Sequence, residues 1–296
     1  MIKKAIIILS IPAILLSISV SLAYSINYTY TPLDYPGGRN TEANGINNHG
    51  KIVGMYQGAD LLAHGFIYDK GTYVTLDFPG ANHTVLRGIN DSDQIVGFFY
   101  DADNVYHGFL FSENTFTTID FPLSQRSRCN GINNLGQIVG TYWETDDETQ
   151  SHNFIYYNGE FTDFDVPLGD ETRARGINDL GHIVGYCKKP MFFGYLYDSS
   201  TFTAITFPGA NATIAYGINS LNIIIGTYAI AGYQHGFTFD GSKYNSFDYL
   251  EAIQTIALGI NNSGQIVGYY KKTTPNRGFL MTPKPNAIAA VGLLLE

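Results

Sequence analysis

Short runs of alternating apolar and polar residues, each ended by turn-forming residues, follow one another along most of this chain. In one stretch, an apolar segment ends at residues 176–178 (GIN), a turn (DLG) follows, and residues 182–186 (HIVGY) resume a β-branched and aromatic run. This order is typical of a β-hairpin. Residues 65–68 (GFIY) and 73–77 (YVTLD), with a turn between them, predict a second hairpin. Nowhere in residues 26–282 is there the 3.6-residue period of an amphipathic helix.

The two hairpins form a unit that the chain repeats six times. Each unit contains a Gly-Ile-Asn triplet and, nine residues after the first glycine, a second glycine. The first glycines are Gly45, Gly88, Gly131, Gly176, Gly217 and Gly259, and the second are Gly54, Gly97, Gly140, Gly185, Gly226 and Gly268. The triplet asparagines, interpreted as turn formers, are Asn47, Asn90, Asn133, Asn178, Asn219 and Asn261. A period of 41 to 45 residues without helical patterning predicts a four-stranded propeller blade.

The two ends of the repeated region supply complementary parts of one blade. Residues 30–37 (YTPLDYPG) resemble the fourth strand of a unit, and residues 278–281 (GFLM) form a third strand without a fourth. Pairing these segments would leave no strand edge open to other chains. We therefore predict an all-β, six-bladed β-propeller with four antiparallel strands per blade, closed by the N-terminal strand completing the last blade. Residues 26–282 form this single domain, because no unit buries its faces alone, and residues 283–296 form a C-terminal tail.

Charge and composition narrow the function classes. An apolar content of 45% and an aromatic content of 14% suffice for a core between stacked sheets. The net charge of −9 argues against nucleic-acid binding, which needs a basic surface. We expect a monomer that carries neither a cofactor nor a metal ion.

The N-terminal residues have the pattern of a secretory signal. Lys3 and Lys4 precede an apolar run at residues 5–20, and small residues follow at 21–25. This predicts a signal peptide over residues 1–25, with retention as an uncleaved anchor as the alternative. We expect a secreted or cell-surface protein with no membrane span after removal of the signal.

Two cysteines, Cys129 and Cys187, are predicted on neighbouring blades near one face. Export would permit a disulfide between them. Their positions in the repeat do not fix the Cα separation that a disulfide requires. The bonded and the free states therefore both stay open.

The unit resembles the HAF-type extracellular repeat, which is named for a His-x-Phe signature. The signature occurs at residues 64–66, 107–109, 152–154 and 235–237, and segments of the type Asp-Phe-Pro-Gly follow it. The resemblance covers roughly residues 30–282, implies a secreted or surface protein, and brings no catalytic residues. In the other two units Phe193 and Arg277 replace the histidine.

An aspartate stands thirteen residues after each signature histidine. The pairs are His64 with Asp77, His107 with Asp120, His152 with Asp165, and His235 with Asp248. Both positions face each other across an antiparallel hairpin, so we expect the side chains to be in contact. Phe193 is accompanied by Thr206, and Arg277 is expected to pair with Asp34 of the N-terminal strand. Structural hydrogen bonds are favoured over metal ligation or acid–base catalysis, because four copies around a ring cannot converge on one substrate.

All seven arginines are predicted on one face of the propeller. Strands alternate in direction, so the loops that join one unit to the next lie on the same face as the loops between the second and third strands. We call this face the top face. Arg39, Arg87, Arg126, Arg128, Arg173 and Arg175 lie in segments leading into the innermost strands, and Arg277 ends a loop. Guanidinium groups that converge near the axis would suit a carboxylate or phosphate ligand. Local salt bridges with Glu42, Asp170 and Glu171 are the alternative.

Three function classes stay open. The preferred class is an exported binding or surface-interaction protein that holds an anionic glycan or other surface polymer. Its ligand-binding residues would be the first six arginines together with Tyr216 and Glu42, with Tyr106, Tyr142 and Trp143 as further stacking platforms. The alternatives are a glycan-active hydrolase or lyase, and a structural cell-envelope module without a ligand. The sequence has no Gly-x-Ser-x-Gly, His-Glu-x-x-His or phosphate-loop motif, so an enzyme is not favoured.

Overall fold

The computed structural model describes residues 28–284, apart from positions 146, 148, 168 and 170. The predicted signal peptide and all but the first two residues of the predicted tail lie outside the described residues. Within them the chain forms 24 β-strands. The first nine are β1 (Tyr28–Leu33), β2 (Arg39–Ile46), β3 (Ile52–Gln57), β4 (Ala63–Asp69), β5 (Thr72–Thr75), β6 (His83–Ile89), β7 (Ile95–Tyr100), β8 (Tyr106–Ser112) and β9 (Thr115–Thr118).

The later strands continue the same order of two hairpins per unit. The third and fourth units comprise β10 (Arg126–Ile132), β11 (Ile138–Trp143), β12 (His152–Tyr157), β13 (Glu160–Phe164), β14 (Glu171–Ile177), β15 (Ile183–Lys188), β16 (Phe192–Tyr197) and β17 (Phe202–Ile205). The remaining strands are β18 (Ala212–Ile218), β19 (Ile224–Ile230), β20 (Tyr233–Phe239), β21 (Tyr244–Phe247), β22 (Gln254–Ile260), β23 (Ile266–Lys271) and β24 (Arg277–Pro283).

The all-β propeller is confirmed, but its sheets are not six separate blades. The first four units, β2–β5, β6–β9, β10–β13 and β14–β17, each form a separate four-stranded antiparallel sheet. The other eight strands of the described chain belong to one sheet, because Gln234 of β20 pairs in parallel with Gln254 of β22. In that sheet β1 pairs with β24 from Tyr28 opposite Pro283 to Leu33 opposite Gly278.

The triplet asparagines connect neighbouring units by side-chain hydrogen bonds. All six are buried, with 3–4% of their surface exposed. The Oδ1 atom of Asn90 accepts hydrogen bonds from the amides of Ser92 and Gln94, which fixes the turn after the first strand. The Asn90 Nδ2 donates to the carbonyl oxygen of Asn133 at 3.1 Å, and Asn261 likewise donates to Asn47 at 3.1 Å. Each unit therefore holds its own turn and that of a neighbour.

Aromatic pairs stack between neighbouring units. The residue after the aspartate position of one unit packs flat on the second strand of the next, as in Phe78 on Phe99, whose ring centroids are 3.7 Å apart. The other stacked pairs are Tyr35–Tyr56, Phe121–Tyr142, Phe207–Tyr228 and Tyr249–Tyr270. Such a pair contributes about 0.5–1.5 kcal/mol beyond its area burial.

Both cysteines are free and buried. Cys129 packs in a core cluster with Val96 and Phe154, whereas Cys187 lies in the next cluster with Val166. The disulfide left open by the sequence is therefore not formed. Burial raises the pKa of both thiols, that of Cys187 to about 12.

Candidate functional site

A β-bulge precedes the first glycine in the innermost strand of every unit. In the pairing of β6 with β7, Leu86 faces Gly97 and Gly88 faces Val96, so Arg87 is the extra residue. The corresponding extra residues in β2, β10, β14, β18 and β22 are Asn44, Asn130, Arg175, Tyr216 and Leu258. A bulge redirects a side chain locally, and these six residues all line a cavity of about 90 Å³ on the axis, here called the axial cavity.

Two glycines next to each bulge permit this geometry, one directly after the extra residue and one opposite it on the partner strand. A Cβ atom at Gly88 would lie 3.3 Å from the Cα of Gly131 in the next unit, so the first glycines let the inner strands approach closely around the axis. A Cβ atom at Gly97 would clash with the carbonyl oxygen of Val85 on the bulged strand. The repeated glycine spacing is thus explained by close backbone approach.

Three arginines lie together here: Arg87 and Arg175 line the axial cavity, and Arg128 lies close enough to be repelled by Arg175. We call these three the axial arginines. Burial, followed by repulsion from Arg175, lowers the pKa of Arg87 to about 10. Burial also lowers the pKa of Arg128, and Arg175 adds to this effect. The Nε atom of each axial arginine is buried without a hydrogen-bond partner among the described residues.

Aromatic rings surround the axial arginines. The Arg128 guanidinium carbon lies 3.8 Å from the Tyr106 ring centroid, 4.8 Å from that of Phe98 and 5.2 Å from that of Trp143. Arg175 lies 5.6 Å from the ring centroid of Tyr216, and these contacts are within cation–π range. The rings therefore pack against Arg128 and Arg175.

The proposed role of three aromatic residues as ligand-stacking platforms is wrong. Trp143, Tyr106 and Tyr142 are only 0%, 2% and 4% exposed. Arg128 covers Trp143 and Tyr106, whereas Tyr142 packs on Phe121 and its hydroxyl donates to Asp163 at 3.1 Å. Tyr216, in contrast, lines the axial cavity as a bulged residue.

One partly buried carboxylate, Glu42, lies near Arg87 within the described residues. Burial raises the pKa of Glu42, although attraction to Arg87 opposes the change. Glu42 Oε1 accepts a hydrogen bond from Asn276 Nδ2 at 3.0 Å and forms no ion pair in the described part of the chain. Glu171 instead pairs with Arg173 at 3.0 Å, and Asp170 lies outside the described residues. The alternative of local salt bridges therefore holds for Arg173 but not for the axial arginines.

Two asparagines that sequence reasoning missed add hydrogen-bond acceptors to the axial cavity. Asn44 and Asn130 are 4% and 7% exposed, and their Nδ2 atoms donate to the carbonyl oxygens of Leu86 and Ala174. The Oδ1 atom of each is buried with no partner among the described residues. The signal was present in the sequence, since both occupy the same position before the first glycine as Arg87 and Arg175.

Of the remaining predicted arginines, Arg126 and Arg173 border this cluster, since Arg173 lies 5.4 Å from the ring centroid of Trp143, whereas Arg39 and Arg277 lie in a separate groove. Arg126 contacts the ring of Tyr106 at 5.4 Å. Arg39 is exposed and lines a groove of about 440 Å³ between β2 and the segment from Tyr270 to Arg277, here called the seam groove. Arg277 also lines the seam groove, and its Nη2 atom lies 2.8 Å from Asp34.

Each signature histidine lies next to the aspartate that follows it by thirteen residues in the chain. The Nδ1 atoms of His64 and His107 lie 2.8 and 2.7 Å from their aspartates, and His235 is 2.9 Å from Asp248. His152 and Asp165 are 3.6 Å apart. Each carboxylate of the first two pairs also accepts the amide of the glycine after the histidine. Across the described residues, no group of three or more His, Cys, Asp or Glu side chains could hold a metal ion.

Comparison with known proteins shows the fold alone. No family model matches this chain, and no curated protein matches it. The β-propeller domain of the Trilobed protease from Pyrococcus furiosus is similar, with 14% identity, a TM-score of 0.53, and coverage of 82% of this chain and 81% of that chain. A triple mutant of AofleA from Arthrobotrys oligospora has 11% identity, a TM-score of 0.51, and coverage of 86% of both chains. A lectin of Aleuria aurantia in complex with Fucalpha1-6GlcNAc has 12% identity, a TM-score of 0.48, and coverage of 78% of this chain and 88% of that chain.

The fold and the axial cavity together define a β-propeller protein with two arginines and one tyrosine in the lining of a cavity on its axis. A search of the described residues finds no helix long and apolar enough to cross a bilayer.

Proposed function

We propose that this protein binds an acidic glycan or another anionic polymer, and that the axial cavity receives one anionic group of that ligand. The observation that carries the proposal is the pair Arg87 and Arg175 in the lining of the axial cavity, with Arg128 beside them. Their buried Nε donors lack hydrogen-bond partners among the described residues, while one partly buried carboxylate, Glu42, stands near Arg87. A buried charge without a partner destabilises a folded protein. A carboxylate, sulfate or phosphate group would supply the missing acceptors.

The acceptors of the cavity favour a ligand that also carries hydroxyl groups. The partnerless Oδ1 atoms of Asn44 and Asn130 can each accept a hydrogen bond. Sugar hydroxyls donate such bonds, whereas fully ionised phosphate or sulfate does not. The combination of guanidinium donors and amide acceptors therefore favours an acidic sugar over a simple inorganic anion.

The contacts of the arginines support binding over a purely structural role. Arg173 has an ion-pair partner within the protein. It lies 3.0 Å from Glu171, and each of the two side chains has 14% of its surface exposed. Arg87 and Arg128 have no ion-pair partner within the described residues, and Arg175 repels both of them. Cleavage of a glycoside requires two carboxyl groups at the site in most enzyme families, and among the described residues Glu42 is the one acid next to the axial arginines. Binding is therefore favoured over hydrolysis.

We further propose that the protein acts outside the cytoplasm as a monomer built on the HAF-type repeat. The signal-like pattern at residues 1–25 and the repeated His-x-Phe signature support this. We also infer that the eight-stranded sheet acts as two blades, so that six units surround the axis with β1 completing the last. The cycle of asparagine hydrogen bonds supports that count, because the link from Asn261 to Asn47 repeats the links between all other units.

The test is binding of the purified protein to size-matched acidic and neutral polysaccharides by isothermal titration calorimetry. We expect the acidic ligands to be preferred and their affinity to fall as salt rises, because the cavity mouth is solvated and its field is screened over about 8 Å at physiological ionic strength. Replacing Arg128 and Arg175 with glutamine should weaken binding at least about tenfold, since each hydrogen bond to a charged group contributes roughly 1.5–3 kcal/mol.

A matched control removes two exposed positive charges from the hairpin turns of the opposite face, Lys70 and Lys243. The Lys70→Gln/Lys243→Gln variant should bind as the unmodified protein does. The proposal fails if acidic polymers are not preferred over neutral ones. It also fails if the Arg128→Gln/Arg175→Gln variant binds normally and melts at a lower temperature.

A further inference from the structure

We propose that the seam groove holds the continuation of the same acidic polymer, so that one anionic group enters the axial cavity and the following sugars lie along the groove. This inference rests on the proposed function and adds a second, extended subsite to it. The axial cavity, at about 90 Å³, admits only a small group, whereas the seam groove has a volume of about 440 Å³. The larger volume falls in the range of about 300–1,000 Å³ that is typical of ligand sites.

The charges that line the groove fit an anionic chain. Three cations, Arg39, Lys272 and Arg277, line it together with one carboxylate, Asp34. Arg39 forms no ion pair within the described residues. Lys272 pairs with Glu251 at 3.1 Å and Arg277 with Asp34, but 42% and 57% of their side-chain surfaces stay exposed. Positive charge is concentrated here on a chain whose net charge is −9.

The groove and the axial cavity are joined by one strand and one hydrogen-bonded loop. Strand β2 runs from Arg39 in the groove to Asn44 in the cavity, a distance of about 16 Å at roughly 3.3 Å per residue. Glu42 lies between them, and Asn276, which lines the groove, donates to Glu42 at 3.0 Å. The Asn276 amide also donates to Asn40 Oδ1 at 3.0 Å, which fixes the loop against β2. The two subsites therefore lie on one face at a fixed separation of a few sugar units.

Two of the other directions out of the axial cavity are less favourable for an anion, whereas the fourth unit carries Lys188 and Lys189. The position of Lys272, four residues after the second glycine, is Asp101 in the second unit and Glu144 in the third. An anionic polymer leaving the cavity on that side would meet like charges, which repel it. The charge pattern thus directs the polymer away from the second and third units, and Lys188 of the fourth unit serves as the comparison in the experiment below.

The experiment measures affinity as a function of ligand length. Two size-defined series, oligogalacturonides and heparin-derived oligosaccharides, are titrated into the unmodified protein, into Arg39→Gln/Lys272→Gln, and into Lys188→Gln, which removes an exposed top-face cation outside the groove. We expect affinity to increase with length for the unmodified protein and then to level off. The groove variant should bind the shortest oligomers normally and lose roughly fivefold to tenfold for the longest, since exposed charge contacts contribute up to about 1 kcal/mol each.

The outcomes separate this inference from the proposed function. If short oligomers bind but affinity does not depend on length, or if the groove variant behaves like Lys188→Gln, the seam groove is not a subsite and the axial site stands. If no oligomer of either series binds, the proposed function fails and this inference fails with it.

Discussion

Replacing Arg87 with glutamine is expected to stabilise the ligand-free protein, although most substitutions at buried positions destabilise. The reason is that burial of the Arg87 guanidinium and its repulsion by Arg175 and Arg128 together outweigh its attraction to Glu42. At neutral pH the side chain is charged in both the folded and the unfolded protein. Its lowered pKa in the folded state therefore means that the charge opposes folding.

The size of the effect follows from the pKa of Arg87. A lowering from 12.5 to about 10 corresponds to roughly 3 kcal/mol at about 1.4 kcal/mol per pH unit. Loss of the cation–π contact with Phe98, at 5.4 Å, offsets about 1 kcal/mol of that gain. We expect a net stabilisation of about 1–2 kcal/mol, or an increase in the melting temperature of about 2–8 °C for a domain of this size.

The assay is urea-induced unfolding followed by fluorescence, with Arg87→Gln and Arg87→Met measured beside the unmodified protein. Arg173→Gln is the matched control, because it removes the partner of the half-buried Glu171 and should destabilise by about 1–3 kcal/mol. If both substitutions of Arg87 lower the free energy of unfolding by more than about 1 kcal/mol, Arg87 supports the fold. The account of the axial arginines as a strained binding site would then be wrong.

Two further predictions concern the scaffold. Burial lowers the pKa of His107, but hydrogen bonds that its ring donates to Asp120 and Asp101 outweigh this effect and raise the pKa overall, so this stabilisation should be present at pH 5.5 and lost as the pH rises through the raised pKa. A double-mutant cycle of His107 and Asp120 by urea unfolding should give a coupling of about 1 kcal/mol at pH 5.5 and less at pH 8.5, and strictly additive losses would refute the pairing. The equivalent cycle on Phe193 and Thr206 should be independent of pH. Deletion of β1, residues 28–33, should expose the edge of β24 and cause aggregation or loss of cooperative unfolding. Light scattering and calorimetry measure both effects against a control protein that begins at residue 28, and a soluble variant with an unchanged transition would contradict the predicted closure by β1.

Regular spacing explains which features of the fold could be predicted from the sequence. Side chains that touch across a hairpin must keep a fixed separation along the chain, so the constant spacing of His107 and Asp120 indicated their contact, which measures 2.7 Å. The fused eight-stranded sheet depends on the single pair of Gln234 and Gln254. One such contact leaves no periodic pattern, and the sequence therefore suggested separate blades.

The bulges escaped prediction because every unit contains one. The spacing of nine residues between Gly88 and Gly97 already includes the extra residue, and the other units have the same spacing, so comparing units does not reveal it. The burial of Trp143 and Tyr106 was missed for another reason. Their cover is Arg128 on an adjacent strand, and a sequence gives no distance between a ring and a cation that belong to different segments.

The bulge before each first glycine separates the residues that form the strand ladder from the one residue per unit that lines the axial cavity. Since the extra residue takes no part in the strand ladder, its side chain can be exchanged without altering the register of the blade. Natural variation already places an amide, a guanidinium, a phenol and an aliphatic group there. A combinatorial library at the six bulged positions would therefore reshape the lining of the axial cavity while the strand register remains the same; these positions are Asn44, Arg87, Asn130, Arg175, Tyr216 and Leu258. Duplication of a unit in evolution would likewise add one variable position to the axis.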